Sequence, residues 1–218
     1  MKTPVNSRTL KQHFRYSWWI YLLIALAAFG LVDLLYAMTA YRPPEDKKVE
    51  FYVLGYMNEE KTAAYMEQVR QNEMSDMELM APRLLLDDST YGAMQLMTFL
   101  SAGEGDVLLI PRDNFISLAS SGTFLPLEES EEITRIFDEA GISLQSGWRK
   151  NTDTGETHLY GIPQNKLPGL SQYAYAQDGF LCAFAASGNE ANTLKFLRIL
   201  CRDMLKEPEA EATAAPAP

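Results

Sequence analysis

Four short segments carry residue types that can hold a ligand, and each follows a stretch with strand character. Tyr56 ends "VEFYVLGY" and Met57 and Asn58 follow it; Asp87, Asp88 and Ser89 follow "ELMAPRLLL"; Pro111, Arg112 and Asp113 follow "DVLLI"; Gln164 and Asn165 follow "YGIP". Ligands of open α/β sheets lie beyond the carboxyl ends of the strands, where loops and helix starts gather. The candidate binding set is therefore Tyr56, Asn58, Asp88, Ser89, Arg112, Asp113, Gln164 and Asn165. Tyr56 can stack on a sugar face, and the Arg112 guanidinium can grip a carboxylate. Each of these residues also has an ordinary alternative as a cap, a turn or a solvated loop residue, so the group points to a site more strongly than any member does.

Covalent and acid–base chemistry find no such support. Asp87 and Asp88 are adjacent, which points their carboxylates apart, whereas glycoside hydrolysis needs two carboxylates facing across a bond; Asp88 reads as a helix cap. The chain has no G-x-S-x-G, no P-loop lysine, no C-x-x-C and no H-E-x-x-H. His13 and His158 are the only histidines and are far apart in sequence, so no metal site and no cofactor are expected. The two cysteines fall in a strand-like run (Cys182) and on the apolar face of the last helix (Cys201). They read as two buried thiols, with a Cys182–Cys201 disulfide as the alternative. An enzyme is not expected.

The elements that must position these residues alternate. Strand character at 49–56 is followed by helical spacing over 59–73, with Ala63, Met66 and Val69 or Arg70 on one face. A second strand over 77–88 contains Pro82, which restricts it to an edge, a bulge or a break. Residues 90–102 form a helix with Met94, Met97 and Leu100 or Ser101 directed to the core, and "DVLLIP" is a continuous apolar strand of the kind covered on both faces. Such alternation argues an α/β domain. Asp113 or Asn114 can cap a helix over 115–121, Ser130 a helix over 129–140, and "WRKNTDTGETHLYGIP" reads as a hairpin turning at Asp153–Gly155. A buried strand at 179–186 and a helix beginning near Asn189, with Leu194, Leu197, Cys201 and Met204 inward, close the domain.

Ahead of this domain lies a different kind of chain. Of the 218 residues, the first 16 hold Lys2, Arg8, Lys11 and Arg15 and no acid, leaving 15 basic against 29 acidic residues afterwards, a charge of −14. A body so acidic, without a basic stripe, repels phosphate backbones, and nucleic acid is set aside as a partner. From Trp18 to Ala40 there is one charge in 23 residues, enough to cross a hydrocarbon core about 30 Å thick. Tyr16, Trp18, Trp19 and Tyr21 at one end and Tyr36 and Tyr41 at the other suit the headgroup region, and the basic bias places the N-terminus inside. The span exceeds a usual signal-peptide core and lacks a clean small-x-small site, so it reads as an uncleaved anchor. Asp33, inside the span, is either a contact for a partner or shallow enough to reach the interface. The chain thus divides into a basic cytoplasmic segment (1–16), a transmembrane helix (17–40), a linker (41–48), an α/β domain (49–206) and a low-complexity tail (207–218) expected to be disordered.

Four patches, in this order, resemble the extracellular solute-binding proteins of bacterial ABC importers, which have the type II periplasmic-binding fold: "VEFYVLGYMNEE", "GDVLLIPRDNFISLASSGTFLPLEE", "HLYGIPQNKLPG" and "DGFLCAFAASGNEANTLKFLRIL". The likeness runs over roughly 49–205 and implies a mostly parallel sheet flanked by helices. Family members clamp ligand between two lobes, the second inserted after the strand that "YGIP" resembles; here only the 15 residues Gln164–Asp178 stand in that place. A single lobe buries little of a small ligand. The resemblance, taken together with the apolar span, therefore points to a single-pass, membrane-anchored, one-lobe domain outside the cytoplasm, an accessory or sensing module acting on a membrane or envelope protein by contact. The alternative is a receptor for a small-molecule solute, a sugar or a peptide, serving an ABC importer and completed by a second copy.

Overall fold

The computed structural model describes residues 7–39, 41, 43–86 and 91–206. Asp87, Asp88 and Ser89, and the tail 207–218, lie outside the described residues. The chain divides into two compact units, Met1–Arg42 and Pro43–Pro218. In the first, α1 (Ser7–Thr39) is a continuous helix of 33 residues. Its stretch Trp18–Tyr36, with mean hydropathy 2.1, is long and apolar enough to cross a membrane, as a signal sequence or a single-pass anchor would. Trp18 and Trp19 pack their rings 4.7 Å apart at its start, and Asp33 is exposed within it.

The second unit is built on β1 (Lys48–Met57), whose run of Val, Phe and Tyr suits a strand buried on both faces. Asn58 ends it and starts α2 (Glu59–Asn72) by accepting the backbone N–H of Lys61 at 3.1 Å. Next come β2 (Leu79–Leu86), α3 (Tyr91–Ser101) and β3 (Val107–Ile110). β2 and β3 both run parallel to β1, one on each side. Pro82 is accommodated because β2 is an edge strand. The chain continues through α4 (Arg112–Ser120) and α5 (Glu131–Glu139) to the hairpin β4 (Trp148–Lys150) and β5 (Thr157–Leu159). Then β6 (Ile162–Pro163), β7 (Ala174–Tyr175), β8 (Phe180–Ala183) and α6 (Glu190–Met204) complete the domain.

The fold is α/β with helices flanking the sheet, but the sheet is mixed rather than mostly parallel. Its order is β2-β1-β3-β8-β6, with β7 pairing to the end of β1. β8 lies antiparallel to β3, β6 antiparallel to β8, and β7 antiparallel to β1. The physical reason is the return after Pro163: it is made of two 3-10 turns and β7, not of the crossover helix that a parallel neighbour needs.

Alternate residues of each strand feed two cores. One, with Phe51, Val53, Leu109 and Leu181, packs against α2, α5 and α6; the other, with Tyr52, Leu108, Ile110 and Cys182, packs against α3 and α4. Burying each large side chain contributes roughly 1.5–3 kcal/mol. Because Cys182 belongs to the second core and Cys201 to the first, the sheet stands between them; both thiols are free, and the disulfide alternative is ruled out. Three further expectations fail. On α3 the core takes Gly92, Leu96 and Leu100, while Met94 and Met97 are 62% and 51% exposed. α4 begins at Arg112 with Pro111 as its cap residue, so Asp113 sits in the first turn and caps nothing. On α2, Thr62 rather than Ala63 faces the core.

At the amino end of the sheet every buried polar group is partnered. Asp106 accepts the Glu50 backbone N–H at 2.8 Å and the Thr193 hydroxyl at 3.0 Å, and Glu50 meets Arg83 at 3.2 Å and Lys48 at 3.6 Å. Burial raises the Asp106 carboxyl above its ordinary range, while these hydrogen bonds pull the other way.

Candidate functional site

At the opposite end, the carboxyl ends of β1 and β3, the chain leaves a pocket of about 670 Å³. Its floor is the turn from β6 and the start of β8: Pro163, Gln164, Gly179 and Phe180. One wall comes from Arg112 at the start of α4 and from Ser146 and Arg149 of the hairpin region. Facing it are Asn165, Leu167 and Pro168, with Tyr175 and Asp178 from the loop around β7.

Gln164 builds this loop rather than lining it as a free amide. It is buried; its Nε2 donates to the Ala174 carbonyl at 3.1 Å and its Oε1 accepts the Ala176 N–H at 3.0 Å. Gly179 lets the clamp close, since a Cβ there would meet that Oε1 at 2.6 Å. The loop is held from the other side by β7, which lies so close on β1 that any side chain at Gly55 would run into the Tyr175 carbonyl. Between these anchors Asp178 adopts a left-handed backbone, φ 46°, which Asp tolerates better than most residues.

The pocket's cation is ordered by aromatic packing. The Arg149 guanidinium lies 5.3 Å from the centroid of Phe115, and its Nη1 donates to the Trp148 carbonyl at 2.6 Å. Phe115 in turn stacks on Phe180, 4.1 Å apart and 9° from parallel. Burial, and then the like charge of Arg112, lower the Arg149 pKa from its usual value. Neither arginine forms an ion pair among the described residues. Behind Arg149, its register partner His158 bonds Glu128 at 2.6 Å and meets Glu156 at 3.4 Å. Glu128 also accepts the Leu159 N–H at 2.9 Å, clasping the hairpin to the rest of the domain.

Of the sequence-derived set, the pocket therefore brings together Arg112, Gln164 and Asn165. Tyr56 is 65% exposed and pairs in register with Tyr175, but it is not part of the lining; Asn58 is spent as a helix cap and Asp113 points elsewhere in the first turn of α4. Asp88 and Ser89 lie outside the described residues. The residues that sequence reasoning missed are Ser146, Arg149, Tyr175 and Asp178. Ser146 sits in a 3-10 turn, Arg149 on β4, Tyr175 on the two-residue β7 and Asp178 in the loop after it, where no periodicity marks them; the basic residue after Trp148 within a turn-rich segment was the one available signal.

No protein-family model matches the chain, and no curated protein does. Among solved structures, part of the chain is similar to an extracellular solute-binding protein family 1 member from Alicyclobacillus acidocaldarius, with 17% identity, a TM-score of 0.40, 56% of this chain and 29% of that one covered. It is similar also to an N-glycan transport solute binding protein from Streptococcus pneumoniae, with 15% identity, a TM-score of 0.38 and coverage of 53% and 24%. An uncharacterized protein from Listeria monocytogenes aligns with 14% identity, a TM-score of 0.39 and coverage of 54% and 28%. The aligned part spans 24–29% of these proteins' own lengths.

Proposed function

We propose that the chain is a single-pass anchored binding domain held outside the cytoplasm, and that it takes a small solute into the pocket at the carboxyl ends of β1 and β3. The supporting observation is the pocket itself: about 670 Å³ in one lobe, a volume typical of small-molecule sites, with apolar and polar groups converging on it. A loop clamped by Gln164 forms one side, so much of the cost of ordering the site is met before ligand arrives. With only Gln164–Gly179 between β6 and β8, no second lobe inserted there closes over the solute. Binding then acts as a signal, passed by contact to a membrane or envelope partner, and the role is that of an accessory or sensing module, not an enzyme.

A second reading, docking to a protein through an apolar helix face without any solute, is favoured by α3, where Tyr91, Met94 and Met97 are all exposed at helical spacing. Ligand-induced thermal stabilisation of the full chain in nanodiscs, screened against sugars, sugar acids and short peptides, separates the two. A micromolar ligand whose effect is abolished by Ser171→Trp, which puts a large ring at a further lining residue of the pocket, supports the solute reading. Stabilisation unchanged in Ser171→Trp refutes it.

A further inference from the structure

We infer that the pocket selects an organic monoanion, a carboxylate-bearing solute with a ring-sized and partly apolar body, and that Arg112 and Arg149 together form its anion clamp. The inference rests on the solute-binding reading above and gives that solute its chemical class.

Of the five other arginines of the domain, four are tied down by carboxylates, Arg70 by Glu67, Arg83 by Glu50, Arg198 by Glu132 and Arg202 by Glu73, and the fifth, Arg135, is exposed on α5 away from the pocket lining. At the pocket two guanidiniums converge on one space, and neither has an ion pair among the described residues. Like charges brought together in a partly desolvated mouth repel, and an anion lodged between them relieves that repulsion while giving both a charge-assisted hydrogen-bond partner. Arg149 is ready for this role. One face of its guanidinium is occupied by Phe115 and one N–H by the Trp148 carbonyl, which fixes the plane and leaves other N–H groups for a ligand.

Charge counting at the lining selects among anions. Among the described residues, Arg112, Arg149 and Asp178 are the charged side chains there, a formal +1. A monocarboxylate neutralises it. A phosphate dianion overshoots to −1 and also meets Asp178 as a like charge, in a domain that is already strongly acidic. The remaining lining describes the rest of the solute. Leu167, Tyr175 and Phe180 offer an apolar side to a ring, and Ser146, Asn165 and Asp178 offer groups for its hydroxyls or amides.

The test is calorimetric titration of the full chain in nanodiscs of neutral lipid, with matched probes: galacturonate, galactose and galactose 1-phosphate, then benzoate and benzamide. The expected result is that at least one carboxylate binds about tenfold or more tightly than its neutral counterpart. Its affinity falls with added salt, and Arg112→Gln weakens it by about tenfold or more. Arg149→Gln does the same but also removes a side chain packed on the core, so the exposed Arg112 is the decisive variant. A neutral probe that binds as tightly as its carboxylate, unaffected by Arg112→Gln, overturns the anion assignment and leaves the solute reading standing. Preference for galactose 1-phosphate overturns the monoanion assignment alone. Absence of binding by all five probes overturns the anion assignment, while the solute reading stands or falls on the thermal screen.

Discussion

The two ends of the central sheet use the same side-chain types to opposite effect. At the amino end, Glu50, Asp106, Arg83 and Lys48 form a closed set in which Asp106 accepts two hydrogen bonds and Glu50 is paired with both cations. At the carboxyl end, Arg112, Arg149 and Asp178 share a pocket without pairing to one another. The backbone supplies part of the reason. β1 and β3 end there and the antiparallel β8 begins there, and the connection after Pro163 passes through 3-10 helices and lines the pocket instead of filling it. Charge in a folded protein is therefore not by itself a sign of a site; charge that the fold orders and leaves without a partner is.

The contrast can be broken most forcefully at Phe115. Phe115→Ala removes a fully buried ring on which both Phe180 and Arg149 rest, and should cost about 3–5 kcal/mol in urea unfolding. Asp106→Ala, at the closed end, strands the Glu50 N–H, leaves the Thr193 hydroxyl only the Asn189 carbonyl as acceptor, and should cost about 1–3 kcal/mol by the same measurement. Gln164→Ala sits between the two cases. It strands the Ala174 carbonyl and the Ala176 N–H, for about 2–3 kcal/mol, and limited proteolysis should then cut within 165–179 before the rest of the domain. Smaller effects sharpen the comparison by sign. Arg83→Gln should lower stability by up to about 1 kcal/mol because Glu50 loses an ion partner. Arg112→Gln in ligand-free protein should change it by less than about 0.5 kcal/mol.

The last prediction concerns pH. The hydrogen bond to Glu128, then the nearby charges, raise the His158 pKa above 6.5 in the folded protein. The clasp on the β4–β5 hairpin is therefore at full strength below the unfolded value of 6.5 and weakens as pH rises through the higher folded value. Amide exchange of the hairpin should accelerate between acidic and mildly alkaline buffer beyond the intrinsic rate change, and His158→Gln should flatten that difference.

Much of the scaffold was legible because its signals are local. The apolar run of β3, the alternation of strand and helix up to Ile110, the Pro82 edge and the Asp153–Gly155 turn all follow from residues near one another in sequence. α3 defeats the same reasoning. It is apolar on two sides, so the stripe Met94–Met97 and the stripe Gly92–Leu96–Leu100 fit a helical period equally, and only the neighbouring sheet decides which is buried. Strand direction after β3 was illegible for a related reason: "FLCA" buried on both faces reads alike whether parallel or antiparallel. The pocket was half legible. Arg112, Gln164 and Asn165 follow from the rule about strand ends, but Arg149 and Asp178 arrive from hairpin and loop geometry that no spacing announces, and Gln164 turns out to hold the wall instead of the ligand.

The placement of the two thiols on opposite sides of the sheet has a bearing on manufacture as well as on structure. Both are fully buried and held protonated by that burial, so neither offers a thiolate to an oxidant. Maturation of this domain therefore requires no thiol oxidase or isomerase, and a preparation from a reducing cytosol and one from an oxidising envelope should be the same molecule.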